Sequence, residues 1–194
     1  MESSSTQRKP ESWSFQGKWK VSRVLPPFPW HKYSMKTTRV FIHGLESTGR
    51  GTKGVFFRQR YPDMIIEDFN GPFSQRMEKL ESLLAGKDNL ILVGSSYGGL
   101  MAAVYACLHK DRVKKLILLA PALHLDSYEP YLEQALQIPI VVFHGLKDDV
   151  VPLEAVRTIA ARLYPNHTFN AVDDAHALHE TFPAYDWDAL LEIG

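Results

Sequence analysis

Asn89-Leu90-Ile91-Leu92-Val93-Gly94-Ser95-Ser96-Tyr97-Gly98-Gly99 holds the transition on which the fold turns. The apolar run over 89–93 predicts a strand buried on both faces, as in a parallel sheet. The segment 97–109 that follows is rich in small residues and predicts a helix that lies close against that sheet. Between them stands a G-x-S-x-G sequence, Gly94-Ser95-Ser96-Tyr97-Gly98. Alone the pattern is weak, since chance yields one in roughly fifteen chains of this length. Placed between a strand and a helix it acquires a physical reading. The tight turn exposes the serine at the end of the sheet, and the flanking glycines remove side chains that would collide. The helix N-terminus adds partial positive charge beside Ser96, favouring an anion that develops there. The alternative, an ordinary Gly/Ser turn, is disfavoured by the context on both sides.

Strand and helix signals alternate outward from this segment. Strands are expected over 38–43, 64–66, 113–120, 138–144 and 168–172. Helices are expected over 52–60, 74–84, 128–136, 153–163 and 183–191. Such a rhythm requires right-handed crossovers and a mostly parallel sheet flanked by helices. Ligands in such sheets bind beyond the carboxyl ends of the strands. Only 17 residues, 121–137, separate two expected strands, which leaves no room for an inserted cap domain. A site without such a wall suits a small ester better than a long acyl chain.

A nucleophilic serine needs a base, and the base needs an orienting carboxylate. On this kind of sheet the chain order is Ser, then Asp or Glu, then His. The loop His144-Gly145-Leu146-Lys147-Asp148-Asp149 follows a strand and offers Asp148, preferred to Asp149 because one of the pair faces inward and the next faces solvent. Asp126 is a distant alternative. Ala171-Val172-Asp173-Asp174-Ala175-His176 places His176 just beyond the last strand. His179, expected within a helix, is the second choice, and His124 is expected to line the pocket without reacting. Two backbone N–H groups should hold the oxyanion of acyl transfer: that of Tyr97, after the nucleophile, and that of Leu45, on the loop His43-Gly44-Leu45 after the first strand.

Other chemistries fit less well. Gly44-Leu45-Glu46-Ser47-Thr48-Gly49-Arg50-Gly51 is a near miss to a phosphate-binding loop, with Arg and Gly where Lys and Ser or Thr are required. His176 and His179 lack a third ligand at metal-binding spacing, and no cofactor is called for. Cys107, the single cysteine, excludes an internal disulfide and reads as an inert core thiol.

The 194 residues carry 22 basic and 22 acidic side chains, a net charge of zero that argues against a nucleic-acid partner. The balance is uneven: residues 1–39 hold eight basic and two acidic side chains, leaving 14 basic and 20 acidic for the remainder. Residues 1–35 thus form a basic N-terminal extension ahead of a catalytic domain over 36–194. Alternation around Gln16-Gly17-Lys18 predicts a small β-hairpin there, weighted a little above a poorly ordered extension with Met35 as the functional start. No apolar run reaches the length of a membrane span or a signal peptide, so a cytoplasmic location is expected. The sequence sets no oligomeric state.

With Ser96, Asp148, His176 and the His43-Gly44 loop in this order, residues 38–194 resemble the α/β-hydrolase superfamily. Within it the chain is similar to the small, lidless YqiA-like bacterial esterases, through His43-Gly44-Leu45-Glu46-Ser47 with Arg50 and Lys53, Val93-Gly94-Ser95-Ser96-Tyr97-Gly98-Gly99, and Ala120-Pro121-Ala122. The resemblance implies the α/β-hydrolase fold and hydrolysis of short acyl esters, with thioesters as further substrates. The expected function is a serine carboxylesterase acting on a small-molecule ester. A thioesterase or acyltransferase on the same residues is the alternative within the fold, and a non-catalytic binding protein the alternative outside it.

Overall fold

The computed structural model describes residues 36–193; the hairpin or extension expected over 1–35 lies outside them. Six strands form one sheet, all neighbours parallel: β1 (Thr38–Ile42), β2 (Ile65–Ile66), β3 (Leu90–Ser95), β4 (Val113–Leu119), β5 (Ile140–Gly145) and β6 (His167–Val172). Their order across the sheet is β2-β1-β3-β4-β5-β6. The α-helices are α1 (Thr52–Arg60), α2 (Phe73–Leu84), α3 (Tyr97–Leu108), α4 (Leu153–Leu163) and α5 (Trp187–Leu191).

Strand side chains alternate between two cores, as a sheet covered on both faces requires. Val40, Ile42, Leu90, Leu92, Leu116 and Leu118 pack with α2, α3 and α4. Phe41, Ile91, Val93, Ile117 and Leu119 face the other way, against Phe57 of α1 and Trp187 and Leu191 of α5. There Phe57 and Trp187 meet edge to face at 4.7 Å, and Phe57 and Phe182 at 5.4 Å, which pins the C-terminal segment over α1. In α2 the apolar side chains Met77, Leu80 and Leu84 are buried, with Leu83 partly buried beside them.

Two expected helices take a different form. Instead of a helix over 128–136 there is a 3-10 segment, Asp126–Tyr131, with Pro130 inside it. Proline has no N–H to donate, and its ring crowds the carbonyl four residues back, here that of Asp126, which disfavours an α-helix through this segment. The expected helix over 183–191 is divided into a 3-10 turn, Phe182–Ala184, and α5. The Asp186 side chain accepts from the N–H of Ala189 at 3.1 Å and starts α5 afresh. His179 accordingly lies in a turn, not in a helix. No inserted domain lies between β4 and β5.

The chain leaves β1 for β2 on one side and returns to β3 on the other, so the loops after β1 and β3 diverge and open a crevice. Register carries this level across the sheet: Ile42 stands opposite Gly94, Gly94 opposite Leu118, Leu118 opposite Val142, and Val142 opposite Phe169. The loops that follow these strands therefore emerge at one edge.

Candidate active site

Ser96 occupies the single residue between β3 and α3, with φ 53° and ψ −116°. A residue with a side chain adopts such a backbone only at a cost of about 1–3 kcal/mol, and only where its surroundings impose it. Here they do. The Ser96 N–H donates to Leu119 O on β4 at 2.8 Å, and its carbonyl accepts from the N–H groups of Gly99 at 2.9 Å and Ala122 at 3.1 Å. The turn is tight enough to demand glycine beside it: a Cβ on Gly98 would stand 2.1 Å from Ile42 O.

His176 and Asp148 arrive from the loops after β6 and β5. The Ser96 hydroxyl lies 3.0 Å from His176 Nε2, and His176 Nδ1 lies 2.9 Å from Asp148 Oδ2. With Nδ1–H donating to the carboxylate, Nε2 is left with its lone pair toward the serine hydroxyl. The other carboxylate oxygen, Oδ1, accepts from the N–H groups of Val150 at 3.0 Å and Val151 at 2.8 Å, and the Asp148 side chain is fully buried. Asp149 next to it is exposed. Sequence and structure thus bring Ser96, His176 and Asp148 into one hydrogen-bonded chain, while Asp126 starts a separate 3-10 segment and His179 stands exposed on the cavity wall.

Two supporting groups were not legible beforehand. Nε2 of His144, the residue before Gly145 on β5, lies 3.0 Å from Val151 O and 3.1 Å from Asp148 Oδ2. Both neighbours are acceptors, so Nε2 carries the proton. His144 is fully buried, and burial lowers its pKa, which favours the neutral ring. Asp174, two residues before His176, ties the loop together. Its Oδ1 accepts from Ala175 N at 2.7 Å, and its Oδ2 from Glu180 N, Thr181 N and Thr181 Oγ1 at 2.9–3.0 Å. Burial alone would raise the Asp174 carboxyl, but the bonds from Thr181, Ala175 and Glu180 outweigh it and hold the group below the usual carboxylate range.

The loop after β1 abuts the serine: a Cβ on Gly44 would stand 3.3 Å from Ser96 Cβ. His43 Nε2 accepts from the N–H of Phe69 at 2.8 Å, so its proton is on Nδ1, which donates to Gly44 O at 2.7 Å. His43 is buried, and burial lowers its pKa. Fixing the Gly44 carbonyl turns the N–H of the same trans peptide, that of Leu45, to the opposite side. The next carbonyl, Leu45 O, accepts from buried Arg76 at 3.3 Å. The Tyr97 N–H, at the first position of α3, has no partner within the helix. Further along, the N–H groups of Gly49, Arg50 and Gly51 are engaged by Asp68, Thr48 Oγ1 and Thr48 O. A loop whose donors are already used is no cradle for phosphate.

Ser96 opens into a cavity of about 610 Å³ whose wall includes Leu45, Tyr97, His124, Val150 and His176. His124 lines it, as expected. Leu45 and Val150 leave 52% and 61% of their surfaces exposed, so the mouth has an apolar rim. Among the described residues, no group of three or more His, Cys, Asp and Glu side chains is placed to hold a metal ion, and no helix is long and apolar enough to cross a membrane.

A family model described as alpha/beta hydrolase fold matches residues 46–134. Solved structures extend the likeness to most of the described residues. Alpha/beta hydrolase domain-containing protein 10 from mouse superposes with a TM-score of 0.62 at 19% identity, covering 80% of this chain and 85% of that one. The fold is that of the α/β hydrolases. Est1E from Butyrivibrio proteoclasticus shares this α/β-hydrolase fold with a TM-score of 0.66 at 17% identity, over 81% of this chain and 87% of that one. The monoacylglycerol lipase of Paleococcus ferrophilus does so with a TM-score of 0.64 at 16% identity, over 79% and 92%. No curated protein sequence matches the chain significantly. Within the α/β-hydrolase fold, the serine turn after β3 and the loops after β1, β4, β5 and β6 are assembled around the cavity.

Proposed function

We propose that the protein is a serine carboxylesterase that hydrolyses small or short-acyl esters. One observation carries this reading: the Ser96–His176–Asp148 hydrogen-bonded chain, with Ser96 held at positive φ over an open cavity. His176 Nε2 takes the Ser96 proton as Oγ attacks the ester carbonyl carbon. The N–H groups of Leu45 and Tyr97 hold the oxyanion of the tetrahedral intermediate. Its collapse breaks the bond to the alcohol oxygen, which leaves with the proton from His176. Water, deprotonated by the same nitrogen, then releases the acid and frees Ser96. Asp148 keeps His176 in the required tautomer and stabilises its cation throughout.

Solved structures named as a monoacylglycerol lipase and a marine microorganism esterase are in keeping with ester chemistry. The absence of a cap between β4 and β5 favours short acyl chains, in line with the likeness to small lidless esterases. A cytoplasmic location is part of the same proposal. The test is a series of 4-nitrophenyl esters from acetate to laurate, run with the full chain and with Ser96→Ala. Turnover should peak at short chains and vanish in the variant. No turnover of any ester, or turnover undiminished in the variant, overturns the proposal.

A further inference from the structure

One cation at the cavity has no matching anion. Lys53, in the first turn of α1, is half-buried, and among the described residues it is the only lysine or arginine on the cavity wall. Its Nζ donates to the carbonyl of Ala177, the residue after His176, and sits 5.5 Å above the Phe182 ring. An ammonium has three donors, and this bond uses one. The acid that acts on Lys53 through space is Asp174, but its oxygens are taken up by Ala175, Glu180 and Thr181. Among the described residues, no ion pair joins Lys53 to a carboxylate. Desolvation of a charge without a counter-charge is costly, and the Lys53 ammonium, half-buried, meets only a carbonyl and an aromatic face at close range. On a cavity wall, the missing partner is one that a ligand brings.

We propose that Lys53 is a specificity-determining residue that binds an anionic group, a carboxylate in the first instance, carried by the ester substrate. This rests on the esterase reading above and narrows its substrate class to anionic esters. Burial lowers Lys53 to about 8, with Asp174 opposing the shift. The other titratable groups on the wall are His43, Tyr97, His124, His176, His179 and Glu46, the last exposed to solvent. Lys53 is charged below pH 8, so preference for an anion is present there and fades as the pH rises through that value.

The test uses the full chain and two matched ester pairs. The first is mono-4-nitrophenyl adipate against its methyl-capped counterpart, which differ by a carboxylate on the acyl side. The second is 4-acetoxybenzoate against methyl 4-acetoxybenzoate, which differ on the alcohol side. The readout is the ratio of kcat/KM, anionic over neutral, because any disturbance of His176 through Ala177 slows both members alike. In at least one pair the ratio should fall about tenfold in Lys53→Met, the size of a lost charge-assisted hydrogen bond. It should fall likewise in the wild type between pH 6.5 and 9.5. Lys53→Arg should retain the ratio and lose its pH dependence, which keeps the proposal testable if the methionine variant does not fold. Ratios that are the same in wild type and Lys53→Met, or flat across pH in the wild type for both pairs, overturn it. Hydrolysis of none of the four esters overturns the esterase reading itself.

Discussion

Nε2 of His144 lies 3.1 Å from Oδ2 of Asp148, the same oxygen that faces His176 Nδ1 at 2.9 Å. Two N–H groups thus converge on one carboxylate oxygen while two backbone N–H groups hold the other. The carboxylate has one orientation available to it, and His176 is aimed by it. Replacing His144 with Phe keeps the ring and removes the donor. Bonds to charged groups contribute about 1.5–3 kcal/mol, so kcat should fall at least tenfold with KM little changed. His144→Gln, which returns an N–H at a similar reach, should recover most of the loss. Steady-state kinetics on the two variants decide it; equal losses in Phe and Gln would reduce His144 to a filler of space.

The pair His43 and Gly44 makes a second prediction. His43→Ala frees the Gly44 carbonyl and leaves the Phe69 N–H without its acceptor. Removing one oxyanion donor outright costs about 10²–10³ in kcat; loosening its peptide should cost somewhat less, at least tenfold, again in kcat and not in KM. A variant that folds and turns over at the wild-type rate would show that the Leu45 N–H is not aimed by His43.

Gly98→Ala should be destabilising out of proportion to one methyl group. Its Cβ would stand 2.1 Å from Ile42 O, so β1 and the serine turn must part. Overpacking of this kind costs about 1–3 kcal/mol, or several degrees in Tm for a chain of this size. Thermal unfolding measures it, and an unchanged Tm would mean that the turn is looser than described.

These sites also mark what a sequence can and cannot tell. The positions of Ser96, Asp148 and His176 were legible because each follows a strand in a fixed chain order, and the strands announce themselves as apolar runs. Gly94 and Gly98 were legible because close backbone approach leaves no choice of residue. The roles of His43 and His144 were not, since each depends on an acceptor or donor brought by another loop: Phe69 for one, Val151 and Asp148 for the other. Lys53 stood out only as part of a resemblance, because its environment is made by the His176 loop, 124 residues away. The helix expected over 128–136 gave way to the local effect of Pro130, which apolar periodicity does not register.

Asp174 links stability to pH. Its folded pKa is held below the unfolded value of about 3.9. Its stabilisation is therefore fully present above about pH 4 and is lost as pH falls through the folded value. Asp174→Asn should be less stable than wild type at pH 6.5, by about 2 kcal/mol, with the gap closing toward pH 3. Urea unfolding at the two pH values checks this; a gap that stays constant would mean that the charge on Asp174 contributes nothing.

The central claim is that Ser96 is a nucleophile activated by His176, and a fluorophosphonate probe with peptide mapping by mass spectrometry tests it most directly. The account predicts one covalent adduct on the full chain, located on Ser96, absent from Ser96→Ala and formed far more slowly in His176→Ala. Failure of the folded wild type to label, or an adduct that persists in Ser96→Ala, would contradict it.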